Sequence, residues 1–268
     1  MNVGIIGFGS MGKMMAQKFS TLPKNIIEKV YVANRSPEKL ADVDFAVNVC
    51  KDNRELAAVS DILFICTKPG DIKTALEEIA ACLKENVLLV SLNGSVTFAM
   101  LEKIADCKIA KVIPSVTAEI NRSQTLVCYN HLVESEDKIL LQTILKCMGE
   151  VIELPENEMG MGSELVSCMP GFIASIFDVI CGAAKKHTSI DEEQIAKMVL
   201  NTMTATGDLM LEKNMSFDKV VERVATKGGI TEEGTKVVYE KLPAIADELF
   251  EKTLEKRRQT AVNVEKLF

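Results

Sequence analysis

The sequence predicts an α/β amino-terminal half, built on a doubly wound sheet, followed by an all-α carboxyl-terminal half. Three observations carry this expectation. Short β-rich runs alternate with helical patterns over residues 1–155; several of those runs, such as D-I-L-F-I-C, are unbroken apolar stretches; and after Pro155 the β pattern stops. Unbroken apolar runs suit parallel strands buried on both faces, and the helices between them supply the crossovers that a parallel sheet requires.

Taken in order, the expected strands are Val3–Ile6, Val30–Ala33, Ala46–Val49, Ile62–Cys66, Val87–Ser91, Ile109–Ile113, Thr125–Cys128 and Val151–Leu154. Helical patterns lie between them at Gly12–Phe19, Asp71–Leu83, Phe98–Ile104 and Glu136–Cys147. In the second half Ile195, Met198, Val199, Thr202, Met203, Leu209 and Met210 recur at helical spacing. The breaker-rich run P-E-N-E-M-G-M-G divides the two halves, which places domains at 1–155 and 156–268. The tail E-K-R-R-Q-T-A-V-N-V-E-K reads as a solvated helix end.

Length and charge bound the function. At 268 residues the chain is long for one core and comfortable for two. A net charge of −7 argues against nucleic acid or an anionic membrane as partner. Eight cysteines form no C-x-x-C pair and mostly lie in apolar runs, so a reducing, cytoplasmic compartment is expected, with no metal site. The opening M-N-V-G-I-I-G reads as a strand and turn rather than a leader. The apolar segment 166–184 approaches the length of a bilayer span, but Pro170 and Asp178 favour a helix buried at a subunit contact.

V-G-I-I-G-F-G-S-M-G-K sets Gly7, Gly9 and Gly12 in G-x-G-x-x-G spacing between a strand and a helix. That context makes the motif informative, and identifies the half as Rossmann-type. Gly7 permits the tight turn, Gly9 lets backbone approach a pyrophosphate, and Gly12 lets helix and strand pack closely, with Phe8, Ser10 and Met11 completing the loop. The helix start then offers unpaired N–H groups to phosphate. At the end of the second strand, enzymes that use NAD usually carry Asp or Glu. Here the chain reads Asn34, Arg35, Ser36. An arginine can pair with a 2′-phosphate and a serine can donate to it, so NADP(H) is favoured over NAD(H). The competing reading makes Arg35 a plain surface charge.

Further stretches, I-C-T-K-P (65–69), V-I-P-S-V-T (112–117), V-S-C-M-P-G-F (166–172) and A-T-K-G-G-I-T (225–231), follow in an order and spacing that cover nearly the whole chain. Together they resemble the pyrroline-5-carboxylate reductase family, in the variant spelling of a reductase-like subgroup associated with bacterial competence operons. The resemblance implies that Cys66, Thr67, Lys68 and Pro69 border the cofactor, that Leu92, Asn93 and Gly94 lie against the nicotinamide, and that Asn53 sits near the adenine ribose. Competing readings make Lys68-Pro69 a helix-start turn and Asn53 an N-cap.

It further implies that Gly228, Gly229, Ile230 and Thr231 bind the carboxylate of a cyclic imino acid, with the Thr231 hydroxyl near the ring nitrogen as the catalytic group. Paired glycines ahead of a helical pattern running from Thr231 to Leu242 can form such an anion nest. Thr231 as a simple N-cap is the alternative. Interlocking helices in a homodimer, or an assembly of dimers, are also implied. The expected reaction is NADPH-dependent reduction of 1-pyrroline-5-carboxylate to L-proline. Carbonyl reduction, as in two-domain hydroxyacid dehydrogenases, is disfavoured because the helix opening the second domain has no lysine before Lys185. A second hypothesis from another class is an NADP-binding regulatory protein with little turnover.

Overall fold

Eight runs pair into one sheet: β1 (Asn2–Ile6), β2 (Lys29–Ala33), β3 (Asn48–Val49), β4 (Ile62–Ile65), β5 (Leu88–Ser91), β6 (Lys108–Ile113), β7 (Ser123–Tyr129) and β8 (Gly149–Glu153). The computed structural model, which describes residues 1–41 and 43–268, orders them β3-β2-β1-β4-β5-β6-β7-β8. Strands β1 to β6 are mutually parallel. The order reverses between β1 and β4, which opens a crevice at the carboxyl ends of these strands.

Strand β7 departs from the parallel pattern by pairing antiparallel with β6, and β8 follows β7 in parallel. The link from Ile113 to Ser123 explains this. It holds no helix beyond the short turn Val116–Ile120, whereas a parallel crossover takes a dozen or more residues.

Period-two alternation divides the core between the two sheet faces. Ile6, Leu63, Ile65, Leu89, Ile109 and Ile113 enter one cluster, while Val3, Ile5, Ile62, Phe64, Val90 and Val112 enter the other. Helices α1 (Ser10–Ser20), α2 (Asn53–Val59), α3 (Ile72–Ile79), α4 (Phe98–Glu102) and α5 (Ser135–Leu145) cover these faces. Helix α2 is absent from the sequence expectation. Its signal is the stretch K-D-N-R-E: Asp52 accepts from the Glu55 N–H at 2.8 Å while Glu55 accepts from the Lys51 N–H at 2.7 Å, a reciprocal cap.

After β8 the chain is helical: α6 (Met159–Ser163), a π-helical turn at Glu164–Cys168, α7 (Met169–Lys185), α8 (Glu192–Glu212), α9 (Phe217–Val224) and α10 (Ile230–Glu265). The α/β half and the helical half that the sequence predicts are both present. Compact packing divides the chain elsewhere than at residue 155, into Met1–Pro170 with Leu254–Phe268, and Gly171–Thr253. Helix α10 continues through Pro243 well beyond Leu242, so the helix expected at Thr231–Leu242 is only its opening. Its last turns are not a solvated tail: Val264 is buried in the first cluster and Phe268 packs against it.

The second unit is different in kind. Among the described residues of Gly171–Thr253, Ile195 is the one hydrophobic side chain that is buried, while Val179, Leu211, Val237 and Tyr239 are all more than half exposed. The helical stretch Glu156–Lys185 is long and apolar enough to cross a membrane by length and composition.

Candidate functional site

Strand β1 ends at Ile6, and the turn that follows is shaped by its glycines. Gly7 has φ +93°, a left-handed conformation that favours glycine, and donates its N–H to Ala33 O at 2.9 Å. A Cβ on Gly12 would lie 2.1 Å from Gly7 O, so only glycine lets α1 pack this close. Gly9 has nothing within 4 Å of its missing Cβ and stands at the N-cap of α1, next to the exposed Ser10. Phe8 is buried and stacks on Phe45 with ring centroids 6.4 Å apart, while Met11 is half-buried. An open glycine at a helix start is the cradle that a pyrophosphate fills.

At the end of β2, Asn34 is a brace. Its Oδ1 accepts from Phe8 N–H at 2.9 Å and its Nδ2 donates to Ser36 O at 2.9 Å. Arg35 extends into solvent, 87% exposed, with Asp71 Oδ1 at 3.8 Å. This loosely paired, solvent-facing cation stands at the corner where a ribose phosphate would lie.

At the end of β4, Cys66 lies under the glycine turn: a Cβ on Gly7 would meet Cys66 O at 3.0 Å. Burial pushes the Cys66 thiol up to about 12, so it is neutral and packs. Thr67 Oγ1 is buried without a partner among the described residues. Lys68 precedes a short turn opened by Pro69, which leads into α3. At the end of β5, Leu92 N–H bonds Ile65 O at 3.2 Å, and Asn93 is buried with its Oδ1 accepting from Ser95 N–H at 3.4 Å. Gly94 follows, close to Ile113 and Arg257. The glycine turn, the Asn34–Ser36 corner, Cys66–Pro69 and Leu92–Gly94 thus gather at the carboxyl ends of β1, β2, β4 and β5. The open Gly9 and the orphaned Thr67 hydroxyl fit a dinucleotide there.

Asn53 is the first residue of α2. Asp52, not Asn53, caps α2, and Asn53 Nδ2 donates to Glu78 Oε2 at 2.7 Å, tying α2 to α3.

In the second unit, Gly228 has φ +76° and donates its N–H to Glu232 Oε2 at 2.7 Å. Gly229 N–H bonds Thr226 O at 2.8 Å. Both glycine N–H groups therefore already have acceptors within the chain. Helix α10 starts at Ile230, so Thr231 is its second residue rather than its N-cap. Ile230 and Thr231 are exposed, and the first-turn N–H groups lack intrahelical acceptors.

Two family models match the chain, one described as NADP oxidoreductase coenzyme F420-dependent over residues 2–95 and one as pyrroline-5-carboxylate reductase dimerisation over residues 156–260. Pyrroline-5-carboxylate reductase 3 of Bacillus subtilis (strain 168) is 32% identical over 257 residues, covering 95% of this chain and 94% of that protein. The chain belongs to the pyrroline-5-carboxylate reductase family. As a member of that family it is an NAD(P)-dependent oxidoreductase with NADP as its cofactor. ComE operon protein 4 of the same organism is 25% identical over 271 residues, covering 100% of this chain and 99% of that protein. In fold the chain is similar to the pyrroline carboxylate reductase of Plasmodium falciparum crystallised with NADP bound. That match has TM-score 0.86 and 22% identity, over 97% of this chain and 98% of the other. The dimerisation match supports a homo-oligomer for this reductase-family chain.

Two charged pairs escape the sequence reading. Lys111, 2% exposed, reaches Glu156 Oε1 at 2.9 Å, and the same oxygen accepts from Phe98 N–H at 2.8 Å. Arg257 Nη2 meets Glu164 Oε1 at 2.6 Å. The signals were present: a lysine inside the buried run K-I-A-K-V-I, and a glutamate opening the apolar run E-L-V-S-C.

Proposed function

We propose that this protein reduces a cyclic imino acid with NADPH, most simply 1-pyrroline-5-carboxylate to L-proline, as a cytoplasmic homodimer or assembly of dimers. The observation that carries the cofactor half of this reading is the glycine turn, with Gly7 at positive φ, Gly12 without room for a Cβ and Gly9 open at the start of α1. Bound reduced nicotinamide supplies a hydride for the imine carbon.

The chain's own residues position and enclose. The start of α1 takes the pyrophosphate through Gly9 and Ser10, and Arg35 with Ser36 takes the 2′-phosphate, favouring NADPH over NADH. Thr67 and Leu92–Gly94 border the nicotinamide half. The substrate carboxylate is taken by the first-turn N–H groups of α10 and the Thr231 hydroxyl, after Glu232 leaves Gly228. The nitrogen of a cyclic imine can carry its own proton as the iminium, so orientation and exclusion of water are the main demands on the protein. The exposed apolar helices of Gly171–Thr253 suit burial against a second copy.

NADPH oxidation with 1-pyrroline-5-carboxylate tests the reading. Turnover is expected in the unaltered protein, with Thr231→Ala slowing it about tenfold or more. The Glu232 contact at the bend favours one second reading, an NADP-binding regulatory protein. NADPH binding without turnover would select that reading and reject the first.

A further inference from the structure

Glu164 is a carboxylate in an expensive place. It is 1% exposed, it opens the π-helical turn Glu164–Cys168, and its Oε2 is buried without a partner among the described residues. Its other oxygen carries the whole connection to Arg257, with Nη2 at 2.6 Å and Nε at 3.1 Å. Arg257 Nη2 also donates to Ser163 Oγ at 3.1 Å. A buried ion pair of this kind is a poor way to stabilise a core, because desolvation offsets most of the attraction. Its value lies in fixing geometry, and π turns are frequent at functional sites.

What the pair fixes is the loop after β5. A Cβ on Gly94 would lie 3.3 Å from Arg257 Nη1 and 3.2 Å from Ile113 Cδ1, and a Cβ on Gly160 would lie 3.4 Å from Arg257 Cδ. The Arg257 side chain therefore runs past both glycines, its Cδ beside Gly160 and its Nη1 beside Gly94 at the end of the Leu92–Gly94 loop. In this sheet order the adenosine half of a dinucleotide lies toward β2, so the other half lies toward β4 and β5.

We infer that Glu164 and Arg257 are positioning residues for hydride transfer: the carboxylate orients the guanidinium, and the guanidinium holds the Leu92–Gly94 loop against the nicotinamide half of the cofactor. This rests on the reading of that loop as the nicotinamide border. In this role the pair acts through Gly94, the neighbour of the Arg257 guanidinium.

The test compares two ligands by calorimetric titration of the full-length protein: NADPH, and 2′-phospho-ADP-ribose, which lacks the nicotinamide. Arg257→Met and Glu164→Gln are each expected to weaken NADPH about tenfold or more while changing the fragment less than about twofold, with kcat falling alongside. General structural damage would weaken both ligands together. Gly94→Ala is expected to reproduce the selective loss, and to cost less when combined with Arg257→Met. Equal losses for both ligands, or no loss for either, would overturn the inference. Arg257→Lys, which keeps the charge without the planar fork, is judged by the same criterion should a variant not fold. Failure of the unaltered protein to bind NADPH would overturn the cofactor reading as well, which separates the two failures.

Discussion

Asn34 Oδ1 holds the backbone N–H of Phe8 at 2.9 Å, so the tip of β2 braces the turn that leaves β1. The same side chain donates to Ser36 O. Each end of its amide thus makes one bond within the protein, which ties the Asn34–Ser36 corner to the glycine turn.

Asn34→Ala is expected to weaken NADPH binding by about 1 kcal/mol, roughly fivefold, the usual worth of a hydrogen bond between neutral groups. Asn34→Asp keeps an acceptor for Phe8 but places a negative charge beside Ser36 and Arg35. Fluorescence titration should then find NADPH weakened more than NADH, since only NADPH carries the 2′-phosphate.

Gly12→Ala puts a methyl group 2.1 Å from Gly7 O, a backbone atom that cannot swing aside. Destabilisation of about 1–3 kcal/mol is expected from overpacking, and NADPH binding should fall with the distorted turn. Gly9→Ala meets nothing within 4 Å and should leave the melting temperature nearly unchanged while impairing binding. The contrast is checked by running thermal melts and titrations on both variants.

How much of this was legible in advance depends on the kind of signal. The glycine turn was readable because its spacing, strand and helix lie within one short stretch, and the alternation of β and α fixed the fold class. The antiparallel β7 was not foreseen, because the short link Val116–Ile120 carries no strong turn motif. Nothing in Y-V-A-N-R-S reveals that the Asn34 amide oxygen accepts from Phe8, 26 residues away in sequence. Arg257 and Glu164 lie 93 residues apart, and no local pattern announces a contact of that range.

Lys111 is 2% exposed and its ammonium lies 5.6 Å from the Phe98 ring centroid, besides the ion pair with Glu156. Lys111→Ala removes the charge and the stem together. Denaturant unfolding should report a loss of about 2 kcal/mol, chiefly from the emptied space of the stem, because Glu156 is 34% exposed and keeps the Phe98 N–H. Lys111→Met keeps the stem and should lose less, and the difference between the two measures the packing of the alkyl chain.

Glu232 holds Gly228 N–H at 2.7 Å where the proposed reaction would bring a substrate carboxylate. Glu232→Gln keeps an acceptor for Gly228 but removes the competing charge. Steady-state kinetics should then give a KM for pyrroline-5-carboxylate lowered by about threefold to tenfold, equivalent to roughly 1 kcal/mol, with kcat little altered. A raised KM would count against carboxylate binding at this bend.

Among the described residues of Gly171–Thr253, Ile195 stands alone as a buried apolar side chain. Helices so poorly furnished with an interior of their own acquire one only when another copy docks, so for this half folding and association become a single event. Heat resistance should accordingly climb with protein concentration, and a dilute sample should lose its helical half first.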